Sequence, residues 1–172
     1  SLDYEGGSGQ YSYPYFGKTA DNYLKDEWLN LKAETFKNLL IDTTIIGRTW
    51  LGGTNNSASR KIWLPSAVNL SASAFEDGST AYQDDLNGVF DYFAINDSAI
   101  ARMAYFEEDG TSVRWWTRTT VGGTHPYQRT IDKNGDFSSY QYYYSAYLRP
   151  VINISSNNYL EKISDNTYRI VI

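Results

Sequence analysis

The chain has 172 residues, enough for one domain with a proper core but too few for two. Its formal net charge of -5 argues against a nucleic-acid partner, which would require a basic face to neutralise phosphates. No apolar run is long enough for membrane insertion, and the absence of cysteine excludes disulfides and thiol nucleophiles. The 16 tyrosines are the unusual feature of the composition.

The first 18 residues mix Gly, Ser and Tyr, which predicts a linker or an N-terminal arm ahead of a single domain over residues 19–172. The first apolar side chains of this domain recur at helical spacing: Tyr23, Leu24, Trp28 and Leu31. Thr19 or Asp21 is available as the N-cap of this helix, and a second short helix is predicted over residues 33–41. Both apolar stripes are expected to face the core.

After Asp42 the pattern becomes that of short strands and loops, with a small sheet predicted around Trp50 and residues 62–64. Residues 71–88 are predicted to form an acidic loop. Residues 96–106 are expected to begin as a helical turn capped by Asn96 or Asp97 and to continue as a strand.

The last third of the chain is predicted to be mainly strands. Residues 113–120 alternate, with Trp115 on one face and Trp116 on the other. Asn134-Gly135 between two apolar residues is a strong hairpin signal, and residues 148–154 and a terminal hairpin complete the pattern. The predicted fold class is α+β, with two N-terminal helices and a twisted, mostly antiparallel sheet with long loops.

Four stretches in order, YLKDEWLN, KIWLPS, RWWTRTT and YLRPVINI, followed by DNTYRIV, resemble a bacterial and phage domain family of unknown function. The motifs of that family are of the WWLRSP and VRPALNL types. In this chain the Leu of WWLRSP is Thr117 and its Ser-Pro is Thr119-Thr120. The layout of the family resembles the C-type-lectin fold of formylglycine-generating enzymes and of the variable proteins of diversity-generating retroelements. The resemblance implies these scaffold residues: Trp115, Trp116, Arg118, Arg149 and Pro150.

Enzymatic chemistry finds little support in the sequence. The copper-binding catalysis of formylglycine-generating enzymes uses cysteines, which this chain lacks. A glycosidase would need two carboxylates flanking a sugar, but the acids at 84–85 and 107–109 lie in turn-like contexts where solvated acids are the rule. His125 is the only histidine, and no nucleophile motif accompanies it. We therefore predict no catalytic residue and no cofactor.

Metal binding is also not predicted. The sequence lacks the motifs with which calcium-dependent lectins hold their ion. Asp132, Asn134 and Asp136 place oxygen atoms at alternate positions, but the hairpin turn explains this pattern better, and the distal Glu of an EF-hand is missing.

Trp116 between Arg114 and Arg118 allows two interpretations. The arginines could stack on the indole at a binding surface, or the tryptophan could be structural and covered by the arginine stems. The structural interpretation is favoured.

The run SSYQYYYSAYLRP concentrates tyrosines before Leu148, where the scaffold is expected to resume. Tyr142, Tyr143 and Tyr144 are adjacent, and on a strand they could not all face one core, so several are expected to be exposed. Residues 121–147 are rich in Tyr, Ser, Gly and Thr, as antibody paratopes are. The predicted ligand-contacting residues are His125, Tyr127, Arg129, Ser138, Tyr140, Tyr142, Tyr143, Tyr144 and Tyr147.

The sequence favours a non-enzymatic ligand-binding domain, such as an adhesin on a phage tail or a cell surface, whose partner is a protein or cell-surface ligand. A glycan ligand is an alternative, since exposed aromatic rings also stack on sugars. A structural domain of a phage fibre is another. If a retroelement diversifies the chain, adenine-directed changes in Asn codons can produce Tyr, Ser or Arg but never Lys or Gln, so Gln128, Lys133 and Gln141 would be fixed.

Overall fold

The computed structural model describes residues 2–3, 15–48, 55–71, 88–106, 108–120, 127–155, 157, 159–164 and 167–171. The predictions for Trp50, for His125 and for most of the acidic loop lie outside these residues. Within them the fold is α+β, as predicted, with short helices and a larger share of strands.

The described helices are short. In chain order they are α1 (Thr19–Asn22), which continues as a π-helical turn (Tyr23–Trp28) and a 3-10 turn (Leu29–Leu31), then α2 (Glu34–Lys37), α3 (Ala67–Leu70), α4 (Asp91–Ile95) and α5 (Ala99–Arg102). The described strands are β1 (Leu2–Asp3), β2 (Thr43–Arg48), β3 (Asn55–Arg60), β4 (Ile62–Trp63), β5 (Ala104–Tyr105), β6 (Ser112–Val113), β7 (Trp115–Thr120), β8 (Tyr127–Ile131), β9 (Phe137–Gln141), β10 (Ser145–Leu148), β11 (Val151–Ile152), β12 (Tyr159–Ser164) and β13 (Thr167–Val171).

The largest described sheet has five strands in the order β1-β10-β7-β8-β9. Its central strand, β7, pairs antiparallel with β8 and parallel with β10, where Tyr147 lies opposite Trp115. The other described strand pairs are antiparallel, so the sheet is mixed only at its centre. The predicted strand over residues 148–154 is interrupted at Arg149 and Pro150, between β10 and β11. The predicted terminal hairpin is confirmed as β12 and β13.

The alternation along β7 separates two cores. Trp116 belongs to one cluster of buried residues, together with Tyr15, Leu24 and Trp63, while Trp115 belongs to another on the opposite face of the strand. Both indole side chains are completely buried. Packing on both faces explains why the whole of β7 is buried.

The end of the predicted N-terminal arm is part of the core rather than peripheral. Tyr15 is completely buried, and its hydroxyl accepts a 3.1 Å hydrogen bond from the backbone N–H of Leu64. Burial raises the pKa of Tyr15 above its ordinary value. The packed part of the domain therefore starts before Thr19, the residue at which the domain was expected to begin.

The two residues predicted as the N-cap of the first helix do not have that role. The residue before it is Lys18, and neither Thr19 nor Asp21 caps it. Asp21 is instead buried, where it accepts a hydrogen bond from Gly17 and forms a two-point ion pair with Arg60, with both N–O distances at 2.8 Å. This pair joins the helix to β3.

Leu31 does not face the core, since 79% of its surface is exposed. The helix changes from α to π and then to 3-10 geometry before it ends, which changes the angle between successive side chains. A stripe extrapolated at the α-helical period therefore drifts off the buried face. The second helix, α2, is also shorter than predicted.

The hairpin predicted at Asn134-Gly135 is confirmed, joining β8 to β9. A side-chain oxygen of Asp132 accepts hydrogen bonds from the backbone N–H groups of Asn134 and Asp136, at 2.8 and 3.1 Å. Gly135 has a φ of +86°, and a Cβ atom there would lie only 1.7 Å from the backbone oxygen of Ala99. The turn therefore requires glycine and packs directly against α5.

The predicted turn before β5 is confirmed as the helix α5, but its cap differs. The Ser98 side chain accepts a hydrogen bond from the N–H of Ala101. Asn96 and Asp97, the predicted caps, lie outside the helix, and the Asp97 carboxylate instead pairs with Arg102 at 2.6 Å.

Candidate functional site

The run of adjacent tyrosines forms a turn rather than the middle of a strand. β9 ends at Gln141, and the backbone N–H of Tyr144 donates a 3.0 Å hydrogen bond to the Gln141 carbonyl. β10 begins at Ser145. Residues of a turn are not held to the alternation of a strand, so the three adjacent rings can point in different directions.

Tyr142 is a core residue and not a displayed one, which corrects its predicted role as a ligand contact. Only 5% of its surface is exposed, and it packs in the same core cluster as Trp116 and Ala146. Ala146 is likewise buried, although it lies before Leu148, where the scaffold was expected to resume. The turn inserts one aromatic ring into the core and thereby anchors its neighbours.

Tyr140, Tyr143 and Tyr144 form a contiguous group, which we call the tyrosine cluster. The Tyr140 and Tyr144 ring centroids are 5.2 Å apart, and those of Tyr143 and Tyr144 are 4.8 Å apart. Tyr143 is 40% exposed and Tyr144 is 47% exposed. Partial removal from water, with a smaller contribution from Tyr144, raises the pKa of Tyr143. Tyr143 therefore presents a neutral phenol group to solvent.

The tyrosine cluster rests on rigid supports. The Tyr140 ring lies 5.8 Å from the buried Trp116 ring, and the Arg114 guanidinium lies 4.6 Å above Tyr140. The position of Arg114 is set by hydrogen bonds to the hydroxyls of Thr130 and Ser138, at 3.0 and 3.1 Å. Arg114 thus stacks on a tyrosine of the candidate site, and sequence reasoning had assigned it no such contact.

The buried environment of Trp116 agrees with the structural interpretation of the Arg-Trp motif. Arg118 is also buried, and its guanidinium donates to the backbone carbonyls of Ile46 and Leu64 and to the side-chain oxygen of Asn69. These bonds join β7 to β2 and to the start of α3, so Arg118 stabilises the scaffold beneath the site.

The other predicted contact residues lie on β8 and β9. Tyr127 and Arg129 are half-buried, while Gln128 between them is completely buried, as the alternation of a strand requires. The Gln141 side chain connects Tyr127 to Tyr143, since its amide nitrogen donates to one hydroxyl and its oxygen accepts from the other. Ser138 is half-buried beneath Arg114.

Tyr147 lies on β10 and separates two clefts. One cleft, of about 290 Å³, is lined by Arg114, Tyr140 and Tyr147 among other residues. The other, of about 390 Å³, lies on the far side of Tyr147 and reaches Arg149. The predicted residues do not all share one face of the sheet: Ser138 and Tyr140 lie on the face of Trp116, whereas Tyr127, Arg129 and Tyr147 lie on the face of Trp115. Tyr142 is buried, and His125 lies outside the described residues.

The described part of the chain offers no group of three or more His, Asp or Glu side chains that could hold a metal ion. Its helices include none long and apolar enough to cross a membrane.

Comparison with known families places most of the chain in one of them. The model of the family described as "Domain of unknown function (DUF6273)" matches residues 7–156. No curated protein and no solved structure matches the chain. The matched range includes strands β7 to β10 of the five-stranded sheet, the tyrosine cluster and both clefts. The first strand, β1, precedes this range, and the terminal hairpin of β12 and β13 follows it.

Proposed function

We propose that this chain, which belongs to the family of the domain of unknown function DUF6273, is a non-enzymatic ligand-binding domain with a C-type-lectin-like scaffold that displays the tyrosine cluster. The ligand is a protein on a cell surface, and the domain serves as an adhesin on a phage tail or a bacterial cell. Diversification by a retroelement is part of this proposal.

The observation that carries the proposal is an exposed group of aromatic rings fixed from below. Solvent-exposed tyrosines that pack on one another lose little conformational entropy when a ligand binds, since their side chains are already ordered. Tyr140 is held between Trp116 and Arg114, and Tyr142 anchors the turn in the core. Such a surface is suited to supply the few aromatic anchors on which most protein interfaces depend.

The arrangement of the rings favours a protein over a glycan. The Tyr143 and Tyr144 rings are inclined to each other by 59°, so together they present no single flat face against which a sugar ring could stack. An irregular protein surface can fill the angle between them. The polar side chain beside the rings, that of Gln141, can adapt to such a partner.

Binding of the purified domain to arrays of bacterial surface proteins and of glycans tests the proposal. We expect saturable binding to a protein, and we expect Tyr144→Ala to weaken it about 30-fold or more, which corresponds to about 2 kcal/mol. Tyr92→Ala is the matched control, because Tyr92 is similarly exposed but lies on α4, outside the cluster. The melting temperature of each variant should fall by no more than about 4 °C.

Other outcomes of the binding experiment would favour a different function for the domain. Saturable binding only to glycans would favour a carbohydrate-binding module, and an oligomer dissociated by Tyr144→Ala would favour a fibre-assembly domain. Equal loss of binding in Tyr144→Ala and Tyr92→Ala would contradict the role of the cluster. Diversification has a separate test in the source genome, where a near-repeat of the coding region should lie beside a reverse-transcriptase gene.

A further inference from the structure

The larger cleft beside Tyr147 holds a positively charged group at its wall. It lies between β5 and β10, and the side chain of Arg149 contributes to its lining. One guanidinium nitrogen, Nη1, donates to the backbone carbonyls of Arg102 and Met103, at 3.1 and 3.2 Å. The guanidinium also lies 5.3 Å from the ring centroid of Trp115. These contacts fix the orientation of the side chain.

The charge of Arg149 has no anionic counterpart in the described part of the chain. Its Nε and Nη2 atoms have no hydrogen-bond partner there, and no described carboxylate lines the cleft. Burial lowers the pKa of Arg149, and the nearby Tyr92 hydroxyl offsets part of that effect. Arginine nevertheless keeps its proton in proteins, so a half-buried positive charge lies in the wall of the cleft. This is notable in a chain of net charge -5.

The remainder of the cleft is aromatic and apolar. Tyr147 and Phe106 pack with ring centroids 5.8 Å apart, and Tyr105, 57% exposed, stands at the rim. The volume of about 390 Å³ lies within the range of small-ligand sites. An apolar wall with one cation suits a ligand with an apolar body and one anionic end. A sugar acid fits less well, because most of its hydroxyls would lose their hydrogen bonds to water without replacement.

We propose that this cleft binds a carboxylate attached to an apolar or aromatic body, as at the C-terminus of a peptide that ends in an apolar residue. The two unused donors of Arg149 hold the carboxylate in a charge-assisted pair, and the body of the ligand packs between Tyr105 and Tyr147. The site is separate from the tyrosine cluster, so its failure would leave the adhesin proposal intact.

Titration of the whole chain with N-acetyl-phenylalanine tests this site, with tryptophan fluorescence and calorimetry as readouts, because Trp115 lines the cleft. N-acetyl-phenylalanine amide is the matched neutral probe, and glucuronate is the matched sugar acid. We expect the acid to bind at least about tenfold more tightly than the amide and more tightly than glucuronate.

Variants assign the effect to one side chain. Arg149→Gln should weaken acid binding by about tenfold or more and leave amide binding unchanged, while Arg149→Lys should retain part of the preference. Arg169→Gln is the control, since Arg169 pairs with Glu161 on the terminal hairpin, and it should bind as the parent does. Circular dichroism checks that each variant is folded, and the acid-to-amide comparison in the unmodified chain does not depend on any variant.

The proposal is overturned if the acid and the amide bind equally, if neither binds, or if glucuronate binds as tightly as the acid. It is also overturned if a folded Arg149→Gln variant keeps the full preference for the acid.

Discussion

Replacement of Tyr142 by alanine separates the anchor of the tyrosine turn from its exposed neighbours. Tyr142 and Tyr144 are two positions apart in the chain, yet their side chains are 5% and 47% exposed. Tyr142 packs in the core cluster with Trp116 and Ala146. The same substitution at the two positions should therefore have different effects on the free energy of unfolding.

The magnitudes follow from burial. Truncation of a buried aromatic ring typically costs about 3 to 5 kcal/mol, because apolar contacts are lost and a cavity remains. We take about 3 kcal/mol for Tyr142→Ala, the lower end, because the site adjoins a surface turn that can partly collapse. Tyr144→Ala removes an outer ring with two aromatic neighbours and should cost about 1 kcal/mol.

Thermal unfolding followed by circular dichroism measures the difference without knowledge of the ligand. For a chain of this size, 1 kcal/mol corresponds to about 2 to 4 °C in the melting temperature. We expect a fall of about 6 to 12 °C for Tyr142→Ala and of about 2 to 4 °C for Tyr144→Ala. Urea unfolding should give the same order, with similar m-values for both variants.

Equal falls in the two variants would show that the rings share one environment, and the description of the turn would then be incorrect. A larger fall for Tyr144→Ala would reverse the assignment of anchor and exposed ring.

Gly135→Ala should lower the free energy of unfolding, measured in urea, by about 2 kcal/mol or more, because the new Cβ would overlap the backbone of α5. Gly110→Ala is the control, since Gly110 is also at positive φ but a Cβ there would meet nothing within 4 Å, and it should cost about 1 kcal/mol. Equal losses in the two variants would contradict the close approach of Gly135 to α5. Asp21→Asn should lower the free energy of unfolding by about 3 kcal/mol, because it leaves the largely buried Arg60 guanidinium without its ionic partner. A loss below about 1 kcal/mol would show that the ion pair is not needed for stability. Because the pKa of Tyr15 is raised in the folded state, its contribution to stability is complete below its unfolded pKa of 10.0 and is lost as the pH rises further. The stability of the parent chain, measured by urea unfolding, should therefore fall more steeply above about pH 10 than that of Tyr15→Phe, and parallel profiles would contradict the burial of this hydroxyl.

Local signals accounted for the parts of the fold that depend on neighbouring residues. The turn at Asn134-Gly135 was predicted because the positive φ of Gly135 and the side-chain bonds of Asp132 are local properties of the sequence. The opposite faces of Trp115 and Trp116 followed from the alternation of a strand. Leu31 was misplaced because the helix departs from the α-helical period before that residue.

Features that depend on distant contacts could not be predicted. The inward direction of Tyr142 is set by core residues supplied from several elements, and nothing in a run of three identical residues distinguishes the first from the other two. The cleft at Arg149 exists because β10 lies parallel to β7 and places Tyr147 opposite Trp115. A parallel pairing between segments far apart in sequence leaves no periodic signal in either of them.

The central position of β7 also has a consequence for the order of folding during synthesis. β8 follows β7 closely and can pair with it as soon as it leaves the ribosome, but β10 leaves only after β9 and the tyrosine turn. Until then one edge of β7, every residue of which is buried, has no partner, and the core around Trp116 lacks Tyr142 and Ala146. The nascent chain would therefore be open to wrong strand pairing over this interval, and closure of the domain would coincide with the emergence of the residues that build its candidate binding surface.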